Sequence, residues 1–218
     1  MKHSTVVFDA NAVSAPERYR RRLVLFDFDG TITTRDTLAE FIRFYRGSSA
    51  YLAGLFALAP TLTQYVLGLT PNAKAKEKLM TWFFGGENLV HFDAQCNRFA
   101  REIVPKLVRP AALEEIRRHQ QEGAVVAVVS ASAENWVRPW CEIHSLQCLA
   151  TRLEAAGGKL TGKFSGKNCY GDEKVCRIRT AFDTTDFDEI IAYGDSSGDR
   201  EMLALAHTAY YKPFRNSQ

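Results

Sequence analysis

Charge of one sign is not in excess in this chain. Lys and Arg number 28 against 25 Asp and Glu, a net charge of +3 over 218 residues, so no nucleic-acid partner is expected on charge grounds. Cysteine is scarce as well. Cys96, Cys141, Cys148, Cys169 and Cys176 include no C-x-x-C pair and are odd in number. That excludes finger-type metal spacing and a fully paired disulfide framework, and it fits buried thiols in a reducing cytoplasm. His3, His91, His119, His144 and His207 include no pair at ligand spacing and read as surface or packing residues. Glycine (14) and proline (7) are too few for a collagen-like or linker chain, and a hydrophobic share of 46% excludes a disordered one. The apolar run at Val6-Val7-Phe8 is too short for a signal peptide. A cytoplasmic chain is expected, with one domain carrying a large insertion.

The most local absence is of charge itself. From Gly47 to Ala73 no charged residue occurs, although charged residues make up 24% of the chain. Tyr51 to Ala59 and Pro60 to Leu69 read as two short helices meeting at Pro60. Pro60, Thr61, Thr63 and Gln64 interrupt the segment, which disfavours a membrane span of about 20 apolar residues. Three readings of it stand: a buried helix pair, a surface that dimerises, or a segment lying at a membrane interface.

Elsewhere the pattern alternates. Leu23-Val24-Leu25-Phe26, Ala124 to Val129, Ile190-Ile191-Ala192-Tyr193 and Thr208 to Tyr211 are short continuous apolar runs, as in strands buried on both faces. Pro110 opens and Gly123 closes a helix between them, and Asp199 to Ala206 reads as another. Leu149 to Glu154 and Lys159 to Phe164, joined through Gly157-Gly158, predict a hairpin. Strands alternating with helices argue for an α/β fold, a Rossmann-like, mostly parallel sheet. Between the first strand and the one near Ala124 the connection is far too long for an ordinary crossover. Residues 34–108 are therefore read as a helical cap. Residues 21–33 and 109–218 form the core, and residues 1–20 a leader.

Three strands deliver polar residues at their carboxyl ends: Asp27-Phe28-Asp29-Gly30-Thr31, Ser130, and Gly194-Asp195 with Asp199. If these strands are neighbours, four carboxylates and a hydroxyl share one small volume. Like charges that close require compensation. A divalent cation supplies it, and oxygen donors select Mg²⁺ over zinc. Such a cluster suits an anionic, phosphate-bearing substrate. Residues two apart on extended backbone point the same way, so Asp27 can attack while Asp29 reaches the leaving oxygen. The plainer alternative is that Asp-Gly merely turns the chain at a strand end.

In this order the motifs resemble those of the haloacid dehalogenase superfamily of phosphohydrolases, over about Leu23 to Phe214. The branch it looks most like is subfamily IB, typified by phosphoserine phosphatase, with a C1-type cap between the first and second motifs. The resemblance implies Asp27 as a nucleophile forming an aspartyl-phosphate and Asp29 as general acid and base. It implies Mg²⁺ held by Asp27, Asp195 and the carbonyl of Asp29, with Asp199 orienting a metal-bound water or a lysine. Ser130 and a lysine bind the phosphoryl group. Lys174, in Gly171-Asp172-Glu173-Lys174-Val175, matches best, with Lys167 as runner-up. Val6-Val7-Phe8-Asp9-Ala10-Asn11 only imitates the first motif, since it lacks the second Asp and Gly-Thr.

Phosphoserine phosphatases carry a Glu for the substrate's ammonium where this chain has Asp36. Asp there is more similar to bacterial phosphatases acting on phosphatidylglycerophosphate. Asp36 can equally be the N-cap of a helix from Thr37. The expected activity is thus Mg²⁺-dependent hydrolysis of a small phosphorylated substrate. The alternatives are a phospholipid-head phosphatase docked at the inner face of the membrane through residues 47–73, a phosphomutase, and a non-catalytic binding module. A homodimer through the cap is a further reading.

Overall fold

A computed structural model describes residues 21–215. The leader and the Val6–Asn11 imitation of the first motif lie outside the described residues. The chain opens with β1 (Arg22–Phe26) and enters six helices: α1 (Thr37–Arg46), α2 (Ser48–Ala57), α3 (Ala59–Val66), α4 (Asn72–Phe84), α5 (Leu89–Glu102) and α6 (Val104–Leu107). It continues through α7 (Pro110–Gln121), β2 (Val125–Ala133), α8 (Glu134–Ile143) and β3 (Gln147–Thr151). The hairpin β4 (Leu153–Ala156) and β5 (Lys159–Phe164) follows, then α9 (Asp172–Ala181), β6 (Glu189–Gly194), α10 (Arg200–Leu205) and β7 (Thr208–Tyr211).

The main sheet has the order β3-β2-β1-β6-β7, and every neighbouring pair in it is parallel. This is the Rossmann-like α/β arrangement expected from the continuous apolar runs. Leu23 and Leu25 face one layer with Ile178 and Met202, while Val24 and Phe26 face the other with Ile116 and Trp136. All eight are buried, as a sheet covered on both faces requires. Because β1 lies between β2 and β6, the three polar strand ends come together at one edge. Open parallel sheets hold ligands at such an edge.

The chain leaves the core at Thr33 and returns at Val108, which form an antiparallel bridge. Arg109 N–H donates to the Ile32 carbonyl at 2.8 Å and Thr34 N–H to the Leu107 carbonyl at 2.8 Å. A cluster of rings ties the inserted helices down. Phe41 stacks on Trp136 of α8 at 4.8 Å between centroids and meets Phe84, Phe92 and Phe99 at 5.2 to 5.4 Å. Each such buried ring stabilises by about 1.5–3 kcal/mol.

Several sequence expectations need correction. The hairpin begins at Leu153 rather than Leu149, because Gln147–Thr151 pairs with β2 as the edge strand of the main sheet. The hairpin also joins the inserted helices. Leu160 N–H donates to the Glu87 carbonyl at 2.9 Å and Phe164 N–H to Glu77 at 3.0 Å. Gly162, at φ +83°, lies so close to the Thr81 backbone that any Cβ would collide with it. The α2–α3 pair breaks at Leu58 rather than at Pro60, which sits in the first turn of α3, and the pair is not buried: only Gly54 in α2 and Thr61 in α3 are. Among the thiols Cys96, Cys141 and Cys169 are buried, Cys148 is half-buried and Cys176 is exposed.

Candidate active site

The site is assembled from β1 outward. Asp27 follows the last residue of the strand, and its N–H still donates to the Tyr193 carbonyl of β6 at 2.9 Å. Phe28 turns into the core, so Asp29 comes back to the same side as Asp27. Gly30 then takes φ +82°, where a side chain is strained. A Cβ there would also strike the Asp195 carboxylate, so the first motif carries glycine at position 30 for two independent reasons.

Lys174, projecting from the first turn of α9, is fully buried. Its Nζ donates to Asp27 Oδ1, Asp199 Oδ1 and the Val129 carbonyl, each at 2.6 Å. Three donors meeting three acceptors leave the ammonium fully satisfied. Burial acts to lower the Lys174 pKa, but the two carboxylates outweigh it and hold it above the ordinary lysine value. Burial also pushes the Asp27 carboxyl up to about 7, against the pull of Lys174. Lys167 is exposed and contributes its carbonyl to Arg177 instead.

Asp29 is placed differently. Oδ1 accepts the Thr37 N–H at 2.7 Å, and Oδ2 accepts the Ser132 hydroxyl at 2.5 Å. Its carboxyl is raised above the usual range, chiefly by burial and next by the nearby Asp36 charge, with Ser132 and Thr37 opposing. Ser132 is in turn 3.2 Å from the Thr37 hydroxyl, to which Trp136 Nε1 donates at 3.1 Å. The acid thus sits on neutral donors that run into the ring cluster. Sequence reasoning missed Ser132, although Ser130-Ala131-Ser132 has the period-two spacing that puts both hydroxyls on one side of β2. Ser130 is fully buried, and its Oγ accepts the Ser132 N–H at 3.0 Å.

Asp36 does act as the N-cap of α1, accepting the Ala39 N–H at 3.1 Å, and it also lines the site cavity. That cavity is about 190 Å³ and contains Asp27, Asp29 and Lys174 together with Asn72 and Lys76 of α4. Lys76 Nζ donates to the Ala131 carbonyl at 2.8 Å, and Asn168 donates to Asn72 at 3.0 Å, so α4 is bonded to the core across the opening.

Asp199 Oδ2 accepts from the Asp195 N–H at 3.1 Å, the Ser196 N–H at 2.9 Å and the Ser196 hydroxyl at 2.8 Å. Although burial works to raise it, these bonds and Lys174 hold the Asp199 carboxyl below its ordinary value. Oxygens of Asp27, Asp195 and Asp199 lie within 4.8 Å of one another. Three hard oxygen donors at that spacing can hold a divalent cation. Arg215 near the chain's end also pairs with Asp195, a contact the sequence did not suggest.

The haloacid dehalogenase-like hydrolase profile matches residues 24–204. This chain is a haloacid dehalogenase-like hydrolase. Protein CicA of Caulobacter vibrioides is 34% identical over 195 residues, 88% of this chain and 86% of that protein. A phosphoserine phosphatase of Methanocaldococcus jannaschii is 25% identical, covering 86% and 83% of the two chains. A solved phosphoserine phosphatase carrying an analogue of the phospho-aspartyl intermediate shares the fold, with a TM-score of 0.64 at 21% identity over 87% and 85% of the chains. In this hydrolase Ser132→Ala removes a donor that favours the charged form of Asp29. The limb of the pH–rate profile that reports Asp29 should move to higher pH, with about a tenfold loss in kcat. An unmoved limb would show that the bond plays no part.

Proposed function

We propose that this hydrolase is a Mg²⁺-dependent phosphomonoesterase acting through an aspartyl-phosphate on Asp27. The observation that carries the reading is the contrast between its two motif carboxylates. Asp27 faces a buried ammonium, which favours the anion needed for attack against the burial that raises its pKa. Asp29 faces only neutral donors, which suits a group that must gain and lose a proton. Asp27 Oδ attacks phosphorus as the ester P–O bond breaks, and Asp29 protonates the departing alkoxide. Asp29 then takes a proton from water as that water attacks the same phosphorus. Phosphate leaves and the Asp27 carboxylate is restored.

Asp27 and Asp195 offer side-chain oxygens for Mg²⁺ and the Asp29 carbonyl would complete the set implied by the motifs, while Asp199, in the same cluster, holds Lys174 and the Asp195–Ser196 turn. Bound there, the ion supplies neutralisation of the phosphoryl charge. Lys174 fixes Asp27 and adds a second positive charge. Ser130 serves the phosphoryl oxygens, and Asp36 and Lys76 face the remainder of the ester. A cavity of about 190 Å³ favours a small ester. Relatives named as phosphoserine phosphatases support the reaction class, while Asp36, where the motif resemblance implies a Glu for a phosphoserine ammonium, argues for a different leaving group.

The test is phosphate release from phosphoserine, sugar phosphates and phosphatidylglycerophosphate, with Mg²⁺ present and then chelated. Release from at least one ester, lost on chelation and restored by added Mg²⁺, is expected. Release indifferent to chelation, or none from any ester, would overturn the proposal.

A further inference from the structure

The α2–α3 tip exposes apolar side chains that nothing in the described residues covers. Phe56 and Val66 are each 80% exposed, Leu69 73% and Leu67 66%. One side of α2 is committed to the fold, since Gly54 packs against the Cζ end of the Phe83 ring of α4 and leaves no room for a Cβ. The other side carries Leu52 and Phe56, four residues apart and both exposed. A groove of about 330 Å³, lined by Leu55, Leu62, Val66 and Leu67, runs between the two helices.

The charges around the tip are one-sided. On α4, Lys74, Lys78 and Trp82 recur every fourth residue and are all exposed, so they form a single stripe. Lys78 Nζ reaches the Thr61 hydroxyl of α3 at 3.3 Å, which sets this stripe beside the apolar tip. Neither lysine has a carboxylate partner among the described residues. Of the acids on the flanking elements, Glu40 pairs with Arg43 and Glu87 with Arg46, while Glu77 of α4 is turned to the edge of β5, where it accepts the Phe164 N–H. Lys76, on another side of α4, points into the catalytic cavity.

We infer that the α2–α3 tip docks this enzyme on an anionic lipid bilayer, with Phe56, Val66, Leu67 and Leu69 entering the headgroup–acyl boundary and Lys74 and Lys78 resting on the phosphates. Exposed aliphatic residues, a flanking Trp and unpaired lysines together are the chemistry of an interfacial helix. A second copy fits less well. A two-fold contact sets each patch against itself, and this patch would bring lysines near lysines with no acid to answer them. Among the described residues no helix is long and apolar enough to cross a membrane, so the contact is peripheral. The inference stands apart from the phosphatase reading, because it uses no residue of the site.

Flotation of the full chain with phosphatidylcholine vesicles, with and without phosphatidylglycerol, tests it. The protein should float with the anionic vesicles, weakly with the neutral ones, and less as salt is raised. Lys74→Glu with Lys78→Glu should lower the apparent affinity by about tenfold or more. Phe56→Ser with Leu67→Ser should abolish flotation. Hydrolysis of a soluble ester and the circular dichroism spectrum should be unchanged in both. Wild-type protein that stays in the soluble fraction with either vesicle overturns the proposal, as does flotation indifferent to these substitutions. Dimers in light scattering that Phe56→Ser/Leu67→Ser disrupts, without flotation, would assign the surface to a second copy instead.

Discussion

Replacing Asp27 by Asn should stop turnover, with kcat falling on the order of 10⁴-fold or more. Asn is nearly isosteric and can still accept the Lys174 hydrogen bond now made at 2.6 Å. What it lacks is the anionic oxygen that attacks phosphorus in the proposed mechanism. The fold should survive, because the substitution lowers the number of negative charges within a few ångströms of Asp195 and Asp199. The check is single-turnover kinetics alongside a thermal melt. Acid-quenched wild-type enzyme should carry the phosphoryl group on the peptide containing Asp27, and the Asn variant should carry none. A variant that melts like wild type and still releases phosphate at an appreciable rate would exclude Asp27 as nucleophile.

Lys174→Met should damage both stability and chemistry. The methionine fills nearly the same space, so packing around α9 changes little. The loss is electrostatic: Asp27 and Asp199, both buried, are left without their shared cation. Removing one partner from such a buried set costs about 3–5 kcal/mol, because the remaining charges stay desolvated. A urea titration should show it as a lowered midpoint with an unchanged slope. The sign of the accompanying pH effect follows from the raised Asp27 pKa. Burial already pushes that carboxyl up to about 7, and Lys174 is the main influence pulling it down. Without the lysine it climbs further. A larger share of Asp27 is then protonated near neutrality, and the acid limb of the pH–rate profile moves to higher pH. Wild-type stability in the variant, or an unmoved acid limb, would show that Lys174 is not the counter-ion of the nucleophile.

Much of the carboxylate cluster was legible because its logic is local. Asp27, Asp29 and Gly30 follow a four-residue apolar run, and Asp195 with Asp199 follow another, so strand ends and carboxylates announce each other in the chain. Lys174 was readable only as a lysine near the start of a helix, and choosing it over Lys167 needed the resemblance. Ser132, Thr37, Lys76 and Arg215 were not found. Serine, threonine and lysine are common on any surface, and these four owe their positions to neighbours between 8 and 103 residues away.

The uncharged segment shows the same limit from the other side. Absence of charge announced an unusual stretch and allowed both a buried pair and an exposed surface. Packing decided between them: Gly54 admits Phe83 against one side of α2, which leaves Phe56 and its neighbours facing outward. The hairpin was likewise legible as a hairpin, but not that its second strand would bond to the inserted helices.

The amino-acid order by itself determined the parallel α/β core, the helical insertion and the carboxylate motifs, because apolar runs, turn residues and strand-end positions act over a few neighbouring residues. Which polar side chains meet, which proton each carboxylate favours and which apolar face stays bare were decided only by the tertiary structure. Those properties depend on burial and on contacts between distant segments, and neither exists until the chain has folded.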